Sequence, residues 1–237
     1  AISYLGWLAL RKISLDLQHD KTVKVVILAG SGSEAFSAGA DIKDFDTRRS
    51  DSAKAKVYSE AFDGALDAIE SLPQPTISMI QGFCVGGGCE MSMATDIRIA
   101  SEDSIFGIPV ARLGILVGFK EMRRLVSLVG PGNASYILLT GKLISSQEAF
   151  DMGLVTKVVP SNSLSDFTYK LATDMVPLAP LSQQRHKEIL QKTLQNPSLS
   201  DLTAEDLHLP FSNFDSHDFV EGRSAFIERR QPNFKGR

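Results

Sequence analysis

Thr76-Ile77-Ser78-Met79-Ile80 leads through Gln81 to Val85 into Gly86-Gly87-Gly88-Cys89-Glu90, followed by Met91-Ser92-Met93-Ala94. The pattern predicts a buried strand running into a glycine cluster, and a helix that opens on those glycines. Glycine lets the backbone pass close to a ligand, and the first amides of a helix have no partner within it. Such amides stabilise negative charge developing on an oxygen. Gly87 and Glu90 stand three residues apart and so share one helical face. An anion-binding amide thus sits beside a proton carrier, an arrangement suited to chemistry next to a carbonyl. The same residues also admit a structural reading, because glycines permit tight packing and the helix dipole alone favours a first-turn glutamate.

A second segment, upstream, bears on that choice. After an apolar run at 24–28 comes Gly30-Ser31-Gly32-Ser33-Glu34-Ala35-Phe36-Ser37-Ala38-Gly39-Ala40-Asp41-Ile42. Gly30-x-Gly32-x-x-Ala35 matches a loose dinucleotide fingerprint, with Asp51 near the place of a ribose-binding acid. That fingerprint needs a helix starting on the glycines, which the small residues of 36–41 do not support. Read as a loop, Ser37 to Asp41 offers exposed amides beside a flexible glycine. Two amide-presenting loops, each following a core strand, can converge on one oxygen as an oxyanion hole.

Outward from these segments, apolar residues at helical spacing predict a helix over 4–17. The β-branched run at 24–28 predicts a buried strand, and 50–71 a second helix stopped by Pro73 and Pro75. A strand is expected at 96–100, helices at 120–129, 134–140 and 146–152, and a last strand at 155–159. From Leu164 onward the pattern is helical, punctuated by Pro177, Pro180, Pro197 and Pro210. Alternation of strand and helix predicts an α/β fold with a parallel sheet, followed by a helical tail. No repeat, low-complexity tract or linker marks a second independent domain.

The 237 residues, 43% hydrophobic and 22% charged, fit one globular domain or a domain with a helical extension. A net charge of -3 gives no basic footprint for nucleic acid. Cys84 and Cys89 form neither a metal-type pair nor a disulfide framework, so buried free thiols are expected, in keeping with a reducing compartment. No apolar run approaches the roughly 20 residues that cross a bilayer, and no signal peptide is visible. A cytoplasmic location is expected, or an organelle matrix if a leader once preceded Ala1.

Ala35 to Ile42 resembles the first loop motif of the crotonase, or enoyl-CoA hydratase/isomerase, superfamily, and Pro75 through Asp96 is similar to its second. Phe106-Gly107-Ile108-Pro109, Leu113-Gly114, Thr140-Gly141, Ala149 and Gly153-Leu154-Val155 extend the resemblance. So do Glu221-Gly222-Arg223-Ser224-Ala225-Phe226 and Asn233-Phe234-Lys235 in the tail. Nearly the whole chain is covered, with the motifs in order. The front departs from the pattern, since Ala1-Ile2-Ser3 resembles the inside of a segment that earlier strands would precede.

The resemblance implies a spiral of ββα turns over 1–163 and a helical region over 164–237 that assembles trimers, often paired into hexamers. It implies an acyl-CoA thioester ligand and no separate catalytic cofactor or metal. By motif position, the Ala40 and Gly87 amides would bind the thioester oxygen. Ala38, Asp41, Ile42 and Lys43 would line the coenzyme path, and Gly86 and Val110 would complete the substrate-binding set.

A carbonyl polarised by two amides has a more acidic α-carbon and a more electrophilic β-carbon. Glu90 matches one of the family's two catalytic glutamates and is expected to act as acid or base. The second should follow Phe-Gly-x-Pro, where this chain has Val110. Hydration of a 2-enoyl-CoA leads the expectations. A double-bond shift, another reaction of the family, or an acyl-CoA-binding protein with weak catalysis are the alternatives that Val110 favours. Glu121 is a candidate substitute, but an exposed, dipole-favoured glutamate at a helix start outweighs that role. Arg112 could pair with a second substrate carboxylate or equally with a surface or intersubunit acid. His19, His186, His208 and His217 lie in polar helical stretches and are assigned no catalysis. No Gly-x-Ser-x-Gly elbow supports a hydrolase, although proteases of the Clp type resemble this fold.

Overall fold

Ser3 opens the first helix: its hydroxyl accepts the Gly6 N–H at 3.2 Å, and α1 (Tyr4–His19) follows. The computed structural model describes residues 1–237 and contains ten helices and eight short strands. Two compact units divide it, one of residues 1–20, 27–72 and 76–169, the other of residues 21–26, 73–75 and 170–237. No helix is long and apolar enough to cross a membrane.

In the first unit, β1 (Val26–Ala29) and β2 (Ala35–Ser37) precede α2 (Phe45–Arg48) and α3 (Ser52–Glu70). Then come β3 (Thr76–Ile80), β4 (Phe83–Val85), α4 (Gly87–Met93), β5 (Ile97–Ser101) and β6 (Ile105–Gly107). The long α5 (Phe119–Thr140), β7 (Ile144–Ser145), α6 (Ser146–Asp151) and β8 (Lys157–Val159) follow, and α7 (Leu164–Met175) begins in this unit and ends in the second. Strands in the order β1-β3-β5-β8 make one sheet, and β2-β4-β6-β7 make another. β3 pairs parallel with β5, and β5 with β8. β4 stands parallel to both β2 and β6, while β6 and β7 are antiparallel. A strand of the first sheet is thus followed by a short strand of the second and then a helix. That is the ββα winding the resemblance implies.

The expected parallel sheet is therefore two sheets. Strands β2, β4, β6 and β7 have only three or two residues each, too few for a period-2 pattern to register. β3 has the expected bounds, and its side chains are almost all buried, with the Thr76 and Ser78 hydroxyls paired to Asp96 and Thr95. The helices expected at 120–129 and 134–140 are the two limbs of α5, broken where Gly130 takes φ 71° before Pro131. The dinucleotide reading does not survive. Its glycines lead into strand β2 instead of a helix, and Asp51 caps α3 by accepting the Lys54 N–H at 2.9 Å.

The core explains why α3 is held where it is. Trp7 of α1 is fully buried, donates its indole N–H to Tyr58 Oη at 2.9 Å, and meets the Phe62 ring edge-on at 4.7 Å. Cys84 and Cys89 are buried free thiols, as expected. α5 is tied to α3 by ions: Arg124 donates to Asp67 at 2.7 Å and to Glu70 at 2.6 Å, and Lys120 meets Asp67 at 2.5 Å.

The second unit holds α8 (Pro180–Gln195), α9 (Ala204–His208) and α10 (His217–Glu228). Its tail folds back on α10, where the buried Asp218 carboxylate accepts the Lys235 and Gly236 N–H groups at 2.7 and 2.9 Å. Glu221 takes Arg230 and the Asn233 N–H, and Gly222 leaves room for the Phe234 ring. The tail motif that contributes to the resemblance is thus explained by local structure.

Candidate active site

The loop after β2 is shaped by Gly39. Ser37 Oγ accepts the Gly39 N–H at 3.1 Å, and Gly39 takes φ 95°, a conformation side chains disfavour. A Cβ there would lie 2.8 Å from Val85 O and 3.0 Å from Gly87 N, so the loop presses against the head of α4. Ile2 donates to Gly39 O at 2.8 Å and accepts the Asp41 N–H at 2.9 Å. In that extended pairing the intervening Ala40 N–H points away from Ile2. Ala40 N stands 3.4 Å from the position a Cβ on Gly87 would occupy. Gly87 is the first residue of α4, so its own N–H has no helical acceptor.

These two amide positions edge a cavity of about 220 Å³ whose lining includes Ala38, Ala40, Gly87, Glu90, Val110 and Glu121. Ile42 and Gly86 also line it, whereas Asp41 and Lys43 do not. Asp41 instead caps a 3-10 turn, accepting the Lys43 N–H at 3.0 Å. Arg49, Tyr58 and Phe62 wall the cavity from α3 and the residue that ends α2. Sequence reasoning missed these three. The available signal was the 3–4 spacing of Tyr58 and Phe62 on one face of α3.

Glu90 is 7% exposed. Burial, and then the neighbouring charge of Glu121, push its carboxyl up to about 8. A carboxyl in this state carries its proton at neutral pH.

Glu121 requires a correction. Although it lies in the first turn of α5, as the sequence suggests, it is 3% exposed and faces the cavity that holds Glu90. The helix start turns inward because Arg124, one turn on, is drawn into α3 by Asp67 and Glu70. Burial and then Asp63 push the Glu121 carboxyl above the usual carboxylate range. Val110 is half-buried in the lining and offers no polar atom in its side chain. Arg112 is exposed and outside the cavity, as are all four histidines. No group of three or more His, Cys, Asp or Glu side chains is placed to hold a metal ion.

A ββα spiral carrying paired amides and a buried acid defines a class, and comparison with known proteins gives it a family. The family model for enoyl-CoA hydratase/isomerase matches residues 10–237, and the chain belongs to that family. The crotonyl-CoA hydratase of Syntrophomonas wolfei is 35% identical over 220 residues, covering 92% of this chain and 83% of that protein. The carnitinyl-CoA dehydratase of Salmonella enteritidis is 33% identical over 233 residues, covering 97% and 88%. Among solved structures, an enoyl-CoA hydratase/carnithine racemase from Magnetospirillum magneticum superposes with a TM-score of 0.96 at 32% identity. It covers all of this chain, which spans 88% of that one. The protein is therefore an enzyme of the enoyl-CoA hydratase/isomerase type.

Proposed function

We propose that the chain catalyses the reversible addition of water to a 2-enoyl-CoA thioester. The observation that carries this is the facing of Ala40 N and the head of α4 at Gly87, beside the buried Glu90. The thioester oxygen would sit between the two N–H groups. As water adds to the β-carbon, negative charge moves to that oxygen, where the amides stabilise it. Losing one such donor costs roughly 3 kcal/mol in the barrier. Glu90, protonated at neutral pH, would then deliver its proton to the α-carbon and restore the carbonyl.

Ala38, Ile42, Gly86 and Val110 would contact the acyl thioester within the cavity, with Asp41 and Lys43 along the coenzyme path outside it. Coenzyme A enters as part of the substrate, and no other cofactor is required by this chemistry. Residues 1–163 would form the catalytic core and 164–237 the region that assembles trimers or hexamers, which light scattering on the eluted protein would test.

Hydration is tested by following crotonyl-CoA at its enoyl absorbance. Consumption by the unaltered chain, and its loss in Glu90→Gln, is expected. Unchanged turnover in Glu90→Gln would refute the role of Glu90. A second reading, a shift of the double bond by Glu90 alone, is favoured by Val110, which offers no acid or base. Conversion of a 3-enoyl-CoA to its 2-enoyl isomer without hydration would select it. Binding of acyl-CoA with no turnover of either substrate would select a binding protein.

A further inference from the structure

Water addition needs a base for the attacking water as well as an acid for the α-carbon, and Glu90 alone cannot be both in one step. We propose that Glu121 is the second catalytic carboxylate of this site, taking the water's proton in place of a group at Val110. This rests on the hydration reading above and adds the residue that reading lacks.

Geometry supports the assignment. Glu121 lines the same cavity as Glu90 while being 97% buried, and its Oε1 has no hydrogen-bond partner. Asp63 Oδ1 and Arg124 Nη1 are likewise buried without a hydrogen bond, and Arg124 Nη1 makes only a loose ion pair with Glu121 Oε1 at 3.5 Å. Buried polar atoms left unpaired are costly, so such a cluster is unfavourable unless a ligand or water completes it. The backbone gives way to this side chain as well. A Cβ on Gly118 would overlap Glu121 Oε2, so the residue before α5 is one that leaves the carboxyl its place.

A helix-capping glutamate is the alternative. The carboxyl does take the N–H of its own residue in the first turn, as a capping residue would, but such a residue normally lies on the surface, whereas this one is 3% exposed on the cavity wall with its Oε1 toward Arg124. Burial and Asp63 raise the Glu121 carboxyl while Arg124 opposes them, and the charge of Glu121 is in turn, after burial, what most favours a proton on Glu90. In this assignment Glu90 holds the proton and Glu121 is the base.

The step balances. Water's oxygen bonds to the β-carbon as one of its O–H bonds breaks, and that proton passes to Glu121. The π electrons of the α,β double bond move onto the thioester oxygen between the amides. The Glu90 O–H bond then breaks, its proton goes to the α-carbon, and the carbonyl re-forms. Glu121 now carries a proton and Glu90 a charge. Proton transfer from the first to the second through cavity water resets the site.

The test measures crotonyl-CoA hydration in the full chain, in Glu121→Gln and in Glu121→Asp, with thermal melting of each. Glu121→Gln is expected to lower kcat at least 100-fold with KM within about threefold of the parent. It should also still exchange the α-protons of butyryl-CoA with deuterated water, a step that uses Glu90 and not the water-activating base. Glu121→Asp keeps the charge opposite Arg124 and is expected to fold and to lose at least tenfold in kcat. A folded Glu121→Gln with parental kcat, or a lowered melting temperature with kcat unmoved, would overturn the proposal. If Glu121→Gln does not fold, parental kcat in Glu121→Asp overturns it in the same way. An unaltered chain that hydrates nothing refutes the hydration reading and this assignment together, whereas active parent with unaffected variants refutes this assignment alone.

Discussion

Glu90 and Glu121 reach one cavity from the first turns of two different helices, and after burial the charge of Glu121 is the strongest influence keeping Glu90 protonated. The site's behaviour toward pH and substitution follows from that coupling.

If Glu90 supplies the proton to the α-carbon, hydration must fail once that proton is gone. We expect kcat/KM to fall as pH rises through about 8, the value to which burial and Glu121 push the Glu90 carboxyl. A pH profile of crotonyl-CoA hydration between pH 5 and about 10 reads this directly. A rate that is flat through that range would contradict it.

The same shift acts on stability. In the unfolded chain Glu90 ionises near its ordinary 4.5, while the fold holds its proton to about 8. Between those values the folded state binds more protons than the unfolded one, so this group's contribution is complete below the lower value and is lost as pH rises through the upper. Glu90→Gln removes the loss. Its melting temperature relative to the parent should rise by roughly 5 °C or more at high pH, with little change in acid. Calorimetric scans at both ends of the range decide the sign.

Arg124 is the cation on which the carboxylates of this wall converge. Its side chain is 2% exposed and meets Asp67, Glu70 and Glu121. Arg124→Met leaves those acids facing one another, and we expect a loss of about 3–5 kcal/mol in urea unfolding. Lys120 and Arg123 still hold Asp67 and Glu70, which places the loss toward the lower figure.

Gly39→Ala tests the loop. The backbone angle there strains any side chain, and the new Cβ would press on Val85 O and Gly87 N at 2.8 and 3.0 Å. The expected result is a loss of about 1–3 kcal/mol in stability. Because the pressure falls on Gly87, kcat should drop at least tenfold while the chain remains folded, as hydration and melting measured together would show.

How far the sequence foretold all this depended on the length of each signal. β3 and α1 were legible because a five-residue stretch with Ile77, Met79 and Ile80, or four turns of spaced leucines, is long enough to report its pattern. The two-sheet winding was not, since strands of two or three residues carry no period, and it entered only through resemblance. At the site, Gly87 and Glu90 could be paired from their spacing on one short helix. Glu121 was misplaced for a physical reason. A glutamate in a first helical turn has the same local signature whether it points to water or inward, and what turns it inward is Arg124 bound to α3 by acids more than fifty residues upstream. Tyr58 and Phe62 were hidden likewise, since their place on the cavity wall is set by contacts with Trp7 on another helix.

A crystal structure with a bound acyl-CoA tests the central claim most directly. The account predicts the thioester oxygen at hydrogen-bonding distance, about 2.7–3.2 Å, from both Ala40 N and Gly87 N, with the Glu90 carboxyl beside the α-carbon. A thioester lodged elsewhere, or an oxygen held by neither N–H, would contradict it.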